Sequence, residues 1–178
     1  MTMENQLLKM IKGLENEVRL NNQRVRQLSA IASGDQNHFM AYRSSSQSSL
    51  STGWNKVQLD AEDYDPESKF DSTTNHRYTV PVSGYYNIHL GCRVVNASGA
   101  SRHVSGGVYV TGTDRLRFFE HNFSGDGNMT ATGSFRAYLE KDDYLELYFY
   151  TDNASGVSIW GHSTVRATFM GASRDTGF

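Results

Sequence analysis

This chain of 178 residues is short of three things: cysteine, uninterrupted apolar runs, and an excess of charge of either sign. A single cysteine, Cys92, excludes any disulfide within the chain and, on the apolar face of a strand, is expected to be a buried, inert thiol. The N-terminus lacks an uninterrupted apolar segment of the kind that a signal peptide carries, so we expect no signal peptide. No run of about 18 apolar residues is present, so we expect no membrane insertion. The 17 Lys and Arg residues are scattered among 19 acids, which argues against nucleic-acid binding.

Motifs of the common catalytic sites are also missing. The six histidines show neither an HExxH motif nor any other spacing with carboxylates that would build a metal centre. No GxSxG nucleophile elbow occurs either. With 38% hydrophobic and 12% aromatic residues, the chain can bury one sizeable core. We therefore expect a folded protein that is not an enzyme and needs no cofactor.

The first 32 residues follow a heptad pattern, in which apolar positions recur in alternating steps of three and four. The predicted coiled-coil core is Leu7, Ile11, Leu14, Val18, Asn21, Val25 and Leu28, with Ala32 at the end of the register. β-Branched residues at a with Leu at d nominally favour two strands, so the coil alone does not predict a trimer. Asn21 at a core d position either fixes the register or is a tolerated polar residue in a weak coil.

Ser33-Gly34-Asp35 ends the helical pattern, and alternating strands separated by Gly, Ser, Asn and Asp turns follow. We therefore predict a coiled-coil stalk over 1–32, a linker over 33–35, a β head over 36–172 and a short polar tail over 173–178. In the head, one predicted strand places Tyr86, Ile88, Leu90, Cys92 and Val94 on a single face. Further alternating runs are Val104–Val110, Ala131–Leu139, Leu145–Phe149 and Val165–Phe169. This pattern predicts an all-β sandwich or jelly roll.

Residues 69–90, KFDSTTNHRYTVPVSGYYNIHL, resemble the signature of C1q-like globular heads, which share the tumour necrosis factor jelly-roll fold. The match consists of Phe70-Asp71, Tyr78 and Val80 leading into Pro81, and Gly84-Tyr85-Tyr86-x-Ile88. Glu140–Leu147 resembles a second family turn and strand, with Lys141-Asp142 in place of the usual Gly-Asp. The resemblance covers 36–172 and implies an all-β jelly-roll head that forms a homotrimer, here preceded by an α-helical coiled coil.

The resemblance also implies where the functional surfaces lie. The inner sheet would contain the strands Tyr85–Val94, Ala131–Leu139 and Val165–Phe169. The predicted trimer contacts lie on the face of this sheet that points away from the core: Tyr85, His89, Arg136, Tyr138, Arg166 and Met170. Strand Tyr144–Tyr150 would lie in the outer sheet, with Tyr144, Glu146, Tyr148 and Tyr150 as a candidate ligand surface. Alternatively, neighbouring loops or a second subunit cover this row.

Some members of the family hold calcium, and Asp126, Asp142, Asp143 and Asp152 lie in predicted turns. Solvated turn aspartates are the simpler interpretation, because Asp occupies turns through local hydrogen bonds.

A short coil, no visible export signal and no Gly-x-y repeat resemble the bacteriophage branch of this family, whose heads tip fibres and spikes. The leading hypothesis is a homotrimeric virion protein that binds another virion protein through 1–32 and a host-surface glycan or protein through its head. The alternatives are a capsid or tail decoration protein without receptor binding, or an extracellular, cytokine-like ligand.

Overall fold

The N-terminal residues form one long helix, α1 (Met3–Ala32). The computed structural model describes residues 3–32, 37–96 and 101–175, with the side chains of α1 from Lys9 to Val25. The predicted linker at 33–35 lies outside the described residues. The chain divides into two compact units, Met1–Gln36 and Asn37–Phe178. Among the described residues, no helix is both long and apolar enough to cross a membrane.

The second unit contains only strands as regular structure within the described ranges. They are β1 (His38–Tyr42), β2 (Gly53–Lys56), β3 (Ala61–Tyr64), β4 (Phe70–Asp71), β5 (Arg77–Thr79), β6 (Gly84–Asn96), β7 (Arg102–Val110), β8 (Thr113–Phe123), β9 (Gly127–Leu139), β10 (Tyr144–Thr151), β11 (Val157–Ile159) and β12 (Phe169–Arg174).

These strands form two antiparallel sheets. In the first sheet, β9 pairs with one edge of β6, while β11 and β12 share the other edge, and the order continues through β1 to β3. In the second sheet, β7 pairs with one edge of β10, while β5 and β2 share the other; β4 and β8 lie outermost. The prediction of an all-β sandwich is confirmed, and β6, β9 and β12 do share a sheet that excludes β10.

The core lies between the two sheets and follows the period of two that the sequence predicts. On β6, Tyr86, Ile88 and Leu90 are fully buried. On β10, in the other sheet, Leu145, Leu147 and Phe149 are fully buried as well. The aromatic rings of Phe39 and Tyr78 stack at 4.0 Å between centroids. Because each strand sends alternate residues inward, each sheet presents a second row of side chains away from the core.

The predicted strand Val165–Phe169 is displaced in the structure. The strand begins at Phe169, and residues 165–168 belong to the preceding loop. The predicted tail also begins too early, since β12 continues to Arg174, whose backbone N–H donates to the carbonyl oxygen of Asn37 at 2.9 Å. The end of the chain is therefore part of the first sheet as far as Asp175, whose N–H donates to the carbonyl oxygen of Tyr85 at 2.7 Å.

Candidate functional site

The outward row of the second sheet gathers aromatic side chains from three strands. The strand register places Trp54 of β2 beside Tyr150 of β10. Two residues earlier on β10, Tyr148 lies beside Lys56 of β2. The ring centroids of Trp54 and Tyr150 are 5.5 Å apart, and those of Tyr109, on β7, and Tyr148 are 4.2 Å apart. Trp54 also contacts Tyr109 edge-on at 5.7 Å. We call Trp54, Tyr109, Tyr148 and Tyr150 the aromatic face.

Burial of the aromatic face raises the pKa of two of its phenols. Loss of water around Tyr148 is the largest cause, and the negative charge of Glu146 adds to it. The pKa of Tyr109 rises for the same first reason, with Asp114 contributing. Both phenols therefore stay neutral and can donate a hydrogen bond at any physiological pH.

Only part of the predicted row, Tyr144 to Tyr150, forms this surface. Glu146 is 4% exposed, because its carboxylate is covered by the ammonium group of Lys56 at 2.5 Å. The expectation that Glu146 presents itself to solvent is wrong for this reason. Tyr144 faces outward at the start of β10, with the guanidinium of Arg77 at 4.3 Å from its ring centroid. Tyr148 and Tyr150 remain, half-buried by their aromatic neighbours.

A depression of about 290 Å³ opens beside the aromatic face and is lined by Trp54, His103, Ser105, Arg117 and Tyr150. Its floor exists because the outward positions in the middle of β7 are small: Ser105 lies between the taller side chains of β10 and β8, and Gly107 follows. The hydroxyl of Ser105 donates to the carbonyl oxygen of Phe119 at 3.0 Å. At one end the imidazole of His103 lies 3.2 Å from Asn122 Oδ1.

One feature of the sequence points to this depression. Ser105-Gly106-Gly107 places three small residues inside a strand, which marks a close approach or a bulge, and the register shifts between Gly106 and Gly107. Trp54 was missed because its neighbour Tyr150 is distant in sequence. Only the pairing of β2 with β10 brings the two together.

The outward row of the first sheet holds the residues predicted to contact other subunits. Tyr85 on β6 and Tyr138 on β9 are 51% and 57% exposed, and their rings meet edge-on at 5.3 Å. The guanidinium of Arg136 lies 4.7 Å from the Tyr85 ring centroid and pairs with Asp175 at 2.6 Å. His89 is exposed further along β6, in a shallow depression beside Phe169. We call Tyr85, His89, Arg136 and Tyr138 the inner-sheet patch.

Met170 and Arg166 do not belong to that patch. Met170 is fully buried in the core, so its predicted outward direction is wrong. The predicted register was off by one residue, and such a slip exchanges the two faces of a strand. Phe169 points outward instead, over Gly91, where an added Cβ would collide with its ring. Arg166 lies in the loop before β12, where it holds Asp63 through three hydrogen bonds and stacks on Tyr42.

The helix exposes the predicted apolar stripe. Ile11 is 44% exposed, and Leu14, Val18 and Val25 are each 59% exposed. Asn21 is exposed on the same stripe, while the side chains of Leu7, Leu28 and Ala32 lie outside the described ones. The coiled-coil core therefore stays a prediction, and its central part is on the surface of the helix where a partner could pack.

The four aspartates considered for calcium lie in turns. Asp143 accepts hydrogen bonds from Thr111 Oγ1 and from the N–H of Glu140, and Asp152 accepts from the N–H of His103. Asp142 adopts a left-handed φ of 72°, the conformation that its turn requires where a glycine is usual. No cluster of three or more metal-binding side chains occurs among the described residues.

Comparison by sequence finds neither a matching family model nor a matching curated protein. Comparison by structure finds murine APRIL, with a TM-score of 0.51 at 10% identity over 78% of this chain and 98% of that one. Eiger TNF from S. frugiperda matches with a TM-score of 0.50 at 11% identity, over 79% and 93% of the two chains. The globular domain of zebrafish complement 1qA matches with a TM-score of 0.52 at 13% identity, over 78% and 99%. The β-sandwich therefore has the jelly-roll fold of tumour necrosis factor and C1q-like proteins.

Proposed function

We propose that this chain is a homotrimeric, non-enzymatic recognition protein of a bacteriophage fibre or spike. The N-terminal helix would bind another virion protein, and the jelly-roll head would bind a host-surface glycan or protein. The observation that carries this proposal is that each unit of the chain leaves a distinct surface for a partner. These are the apolar stripe of α1 and the inner-sheet patch of the head.

The apolar stripe supports self-association of the helix. Leu14, Val18 and Val25 leave more than half of their area in water, at a spacing that aligns them along one side of α1. Each exposed apolar Å² costs about 25 cal/mol relative to burial, so parallel copies that pack these side chains together are favoured. The chemistry of the stripe does not decide between two and three helices, and the head would set the number.

The inner-sheet patch supports association of heads. Tyrosine and arginine are enriched where proteins meet, because they supply large contact areas with polar ends. Tyr85, Tyr138 and Arg136 already contact one another, so their rotamers are partly fixed before any partner arrives. Burying such a pre-ordered patch costs less side-chain entropy than ordering free side chains.

Recognition would then fall to the second sheet, whose aromatic face points away from the first. Three copies of one weak site on a rigid head bind a repetitive surface by avidity, without any new contact. A virion would carry such heads on its exterior.

Two other functions remain candidates. The fold likeness to APRIL and to Eiger TNF favours an extracellular, cytokine-like ligand as strongly as it favours a virion protein. A virion decoration protein would use the same self-association but would bind no receptor. Calcium at the turn aspartates would be compatible with each of the three.

Two measurements test the proposal. Light scattering of the full chain should give three times the chain mass of 20.0 kDa, and a monomer at micromolar concentration would refute the trimer. Antibodies against the full chain should label the exterior of particles purified from the source. Labelling of cell surfaces or culture medium without particles would instead support the extracellular ligand.

A further inference from the structure

The depression beside the aromatic face is shaped by backbone as well as by side chains. At Gly107, an added Cβ would lie 3.4 Å from Trp54 Cη2 and 3.2 Å from the carbonyl oxygen of Leu116. The indole therefore lies against the sheet at Gly107, next to the register shift between Gly106 and Gly107. An added Cβ at 107 would touch the indole at an ordinary contact distance but would crowd the Leu116 carbonyl oxygen on the neighbouring strand.

A cationic ligand does not suit this surface, because two of its aromatic rings, those of Trp54 and Tyr148, already contact cations of the chain itself. The guanidinium of Arg117 lies 5.3 Å from the centroid of Trp54. The ammonium group of Lys56 lies 5.9 Å from the centroid of Tyr148. A second cation over either ring would meet like charge, which opposes the attraction that the ring provides.

An anionic ligand does not suit it either, because the nearest cations are already neutralised. Arg117 donates to Asp114 at 3.2 Å and to Glu120 at 3.3 Å, so two carboxylates neutralise the charge of one guanidinium. Lys56 is paired with the buried carboxylate of Glu146. An incoming carboxylate or phosphate would have to displace these partners and would feel the repulsion of those acids.

A neutral, polyhydroxylated ring fits the groups that remain. The C–H faces of a sugar carry partial positive charge and are attracted to the negative faces of Trp54 and Tyr150. Sugar hydroxyls both donate and accept. Here Arg117 Nη2 can donate to a sugar hydroxyl, since its Nε and Nη1 are the atoms bound to the carboxylates. Ser105, whose proton is directed to Phe119, lies buried in the floor below. A volume of about 290 Å³ is at the lower end for ligand pockets, which suits one ring rather than an extended chain.

We propose that the depression lined by Trp54, His103, Ser105, Arg117 and Tyr150 binds a single neutral sugar ring of a surface saccharide. This inference rests on the proposed function, since it names the ligand class of the recognition surface. A shallow site for one ring binds weakly, with a dissociation constant of about 1 mM, so the affinity that matters would come from several copies together.

The test uses the full chain on an array of immobilised neutral oligosaccharides of glucose, galactose and N-acetylglucosamine, with sialylated and sulfated glycans beside them. We expect binding to at least one neutral glycan. Tyr150→Ala removes a wall and should weaken this binding at least tenfold, as should Ser105→Leu, which fills the floor. Tyr64→Ala, an exposed tyrosine at the edge strand β3 of the other sheet, is the matched control and should bind within twofold of the original chain.

Tryptophan fluorescence locates the binding. In a Trp160→Phe chain the emission comes from Trp54 and should shift as the neutral sugar is added, whereas in a Trp54→Phe chain it should not. Ser105 is buried, so if Ser105→Leu fails to fold, Tyr150→Ala with an unchanged melting curve decides the result.

Binding to anionic glycans alone, or neutral binding that Tyr150→Ala leaves intact, would overturn the inference. A trimer that binds cells through a protein receptor and no saccharide would also overturn it, while leaving the proposed function in place. A monomer without any binding would remove both.

Discussion

Among single residues, Asp71 ties together the turn between β4 and β5. Its carboxylate accepts five hydrogen bonds: from the N–H groups of residues 73, 74 and 75, from Thr73 Oγ1 and from Asn75 Nδ2. These donors stabilise the ionised form and hold the pKa of Asp71 far below its usual range. The aspartate of the Phe-Asp signature is thus explained by the fold, with no need of a ligand.

The first prediction is that Asp71→Asn lowers the free energy of unfolding by about 1 kcal/mol at neutral pH, because an amide accepts fewer and weaker hydrogen bonds. Since the folded pKa lies below the unfolded value of about 3.9, the stabilisation is present above that pH and is lost as the pH falls below it. Urea melts at pH 7 and pH 3 should show the difference between the two chains shrinking in acid. Glu67→Gln, at an exposed position, should change neither melt.

Cys92 provides a second prediction at this scale. Its side chain lies in the core, and the loss of water raises the pKa of the thiol to about 12. Because the thiolate is the reactive form, the folded chain should react negligibly with a disulfide reagent at about pH 8. In denaturant one thiol per chain should react at once. Fast reaction of the folded chain would mean that β6 opens to solvent.

At the scale of elements, the end of β11 and the loop after it are attached to the loop after β1. Gln47 forms a bridge with Ile159, and the N–H of His162 donates to the carbonyl oxygen of Arg43 at 3.0 Å. Gly161 lies inside this attachment, where an added Cβ would overlap the carbonyl group of Ser45. The neighbour is backbone, so it cannot swing away as a flexible side chain could.

We therefore expect Gly161→Ala to lower the free energy of unfolding by about 2 kcal/mol or more, because one of the two loops has to move. Thermal melts monitored by circular dichroism measure this. Gly125→Ala is the control, because an added Cβ there meets nothing within 4 Å. Equal melting temperatures for the two variants would show that the two loops separate without cost.

The helix is the second element that yields a prediction. If the predicted coil forms, Asn21 places polar groups in its core, which specifies the assembly at some cost in stability. Asn21→Leu should then raise the thermal midpoint of the helical signal at 222 nm and produce a mixture of oligomers in sedimentation. Gln23→Leu, off the stripe, should leave the stoichiometry unchanged. If Asn21→Leu behaves like Gln23→Leu, α1 does not associate through this stripe.

The elements also show how far sequence reasoning reaches. On β6, strict alternation in the sequence predicts the buried face correctly, because one face is entirely apolar from Tyr86 to Val94. On β12 the same reasoning gave the wrong face. Val165 fits the alternation but lies in a loop, and Phe169 fits it but points outward. The aromatic face was only partly predicted, since periodicity gives the face of a strand but not its neighbours. Pairing with β2 added Trp54 and covered Glu146.

At the scale of the whole molecule, the two proposed surfaces of the head lie on different sheets, so association and recognition can be altered separately. The inner-sheet patch belongs to the first sheet, and the aromatic face belongs to the second. A change on one sheet should therefore leave the other function measurable. Avidity connects the two, because multivalent binding requires both.

This separation gives the last prediction. Tyr138→Arg adds a cation next to Arg136 on the exposed patch, so three copies brought together would repel one another. A chain starting at Gln36 should be trimeric by light scattering, and with Tyr138→Arg it should be monomeric while its melting curve changes little. The same variant should lose avid binding to a saccharide-coated surface, yet keep the fluorescence response of Trp54 to free sugar. If the head stays trimeric with Tyr138→Arg, the subunit interface lies elsewhere. If the head with the original Tyr138 is already monomeric, assembly depends on the helix.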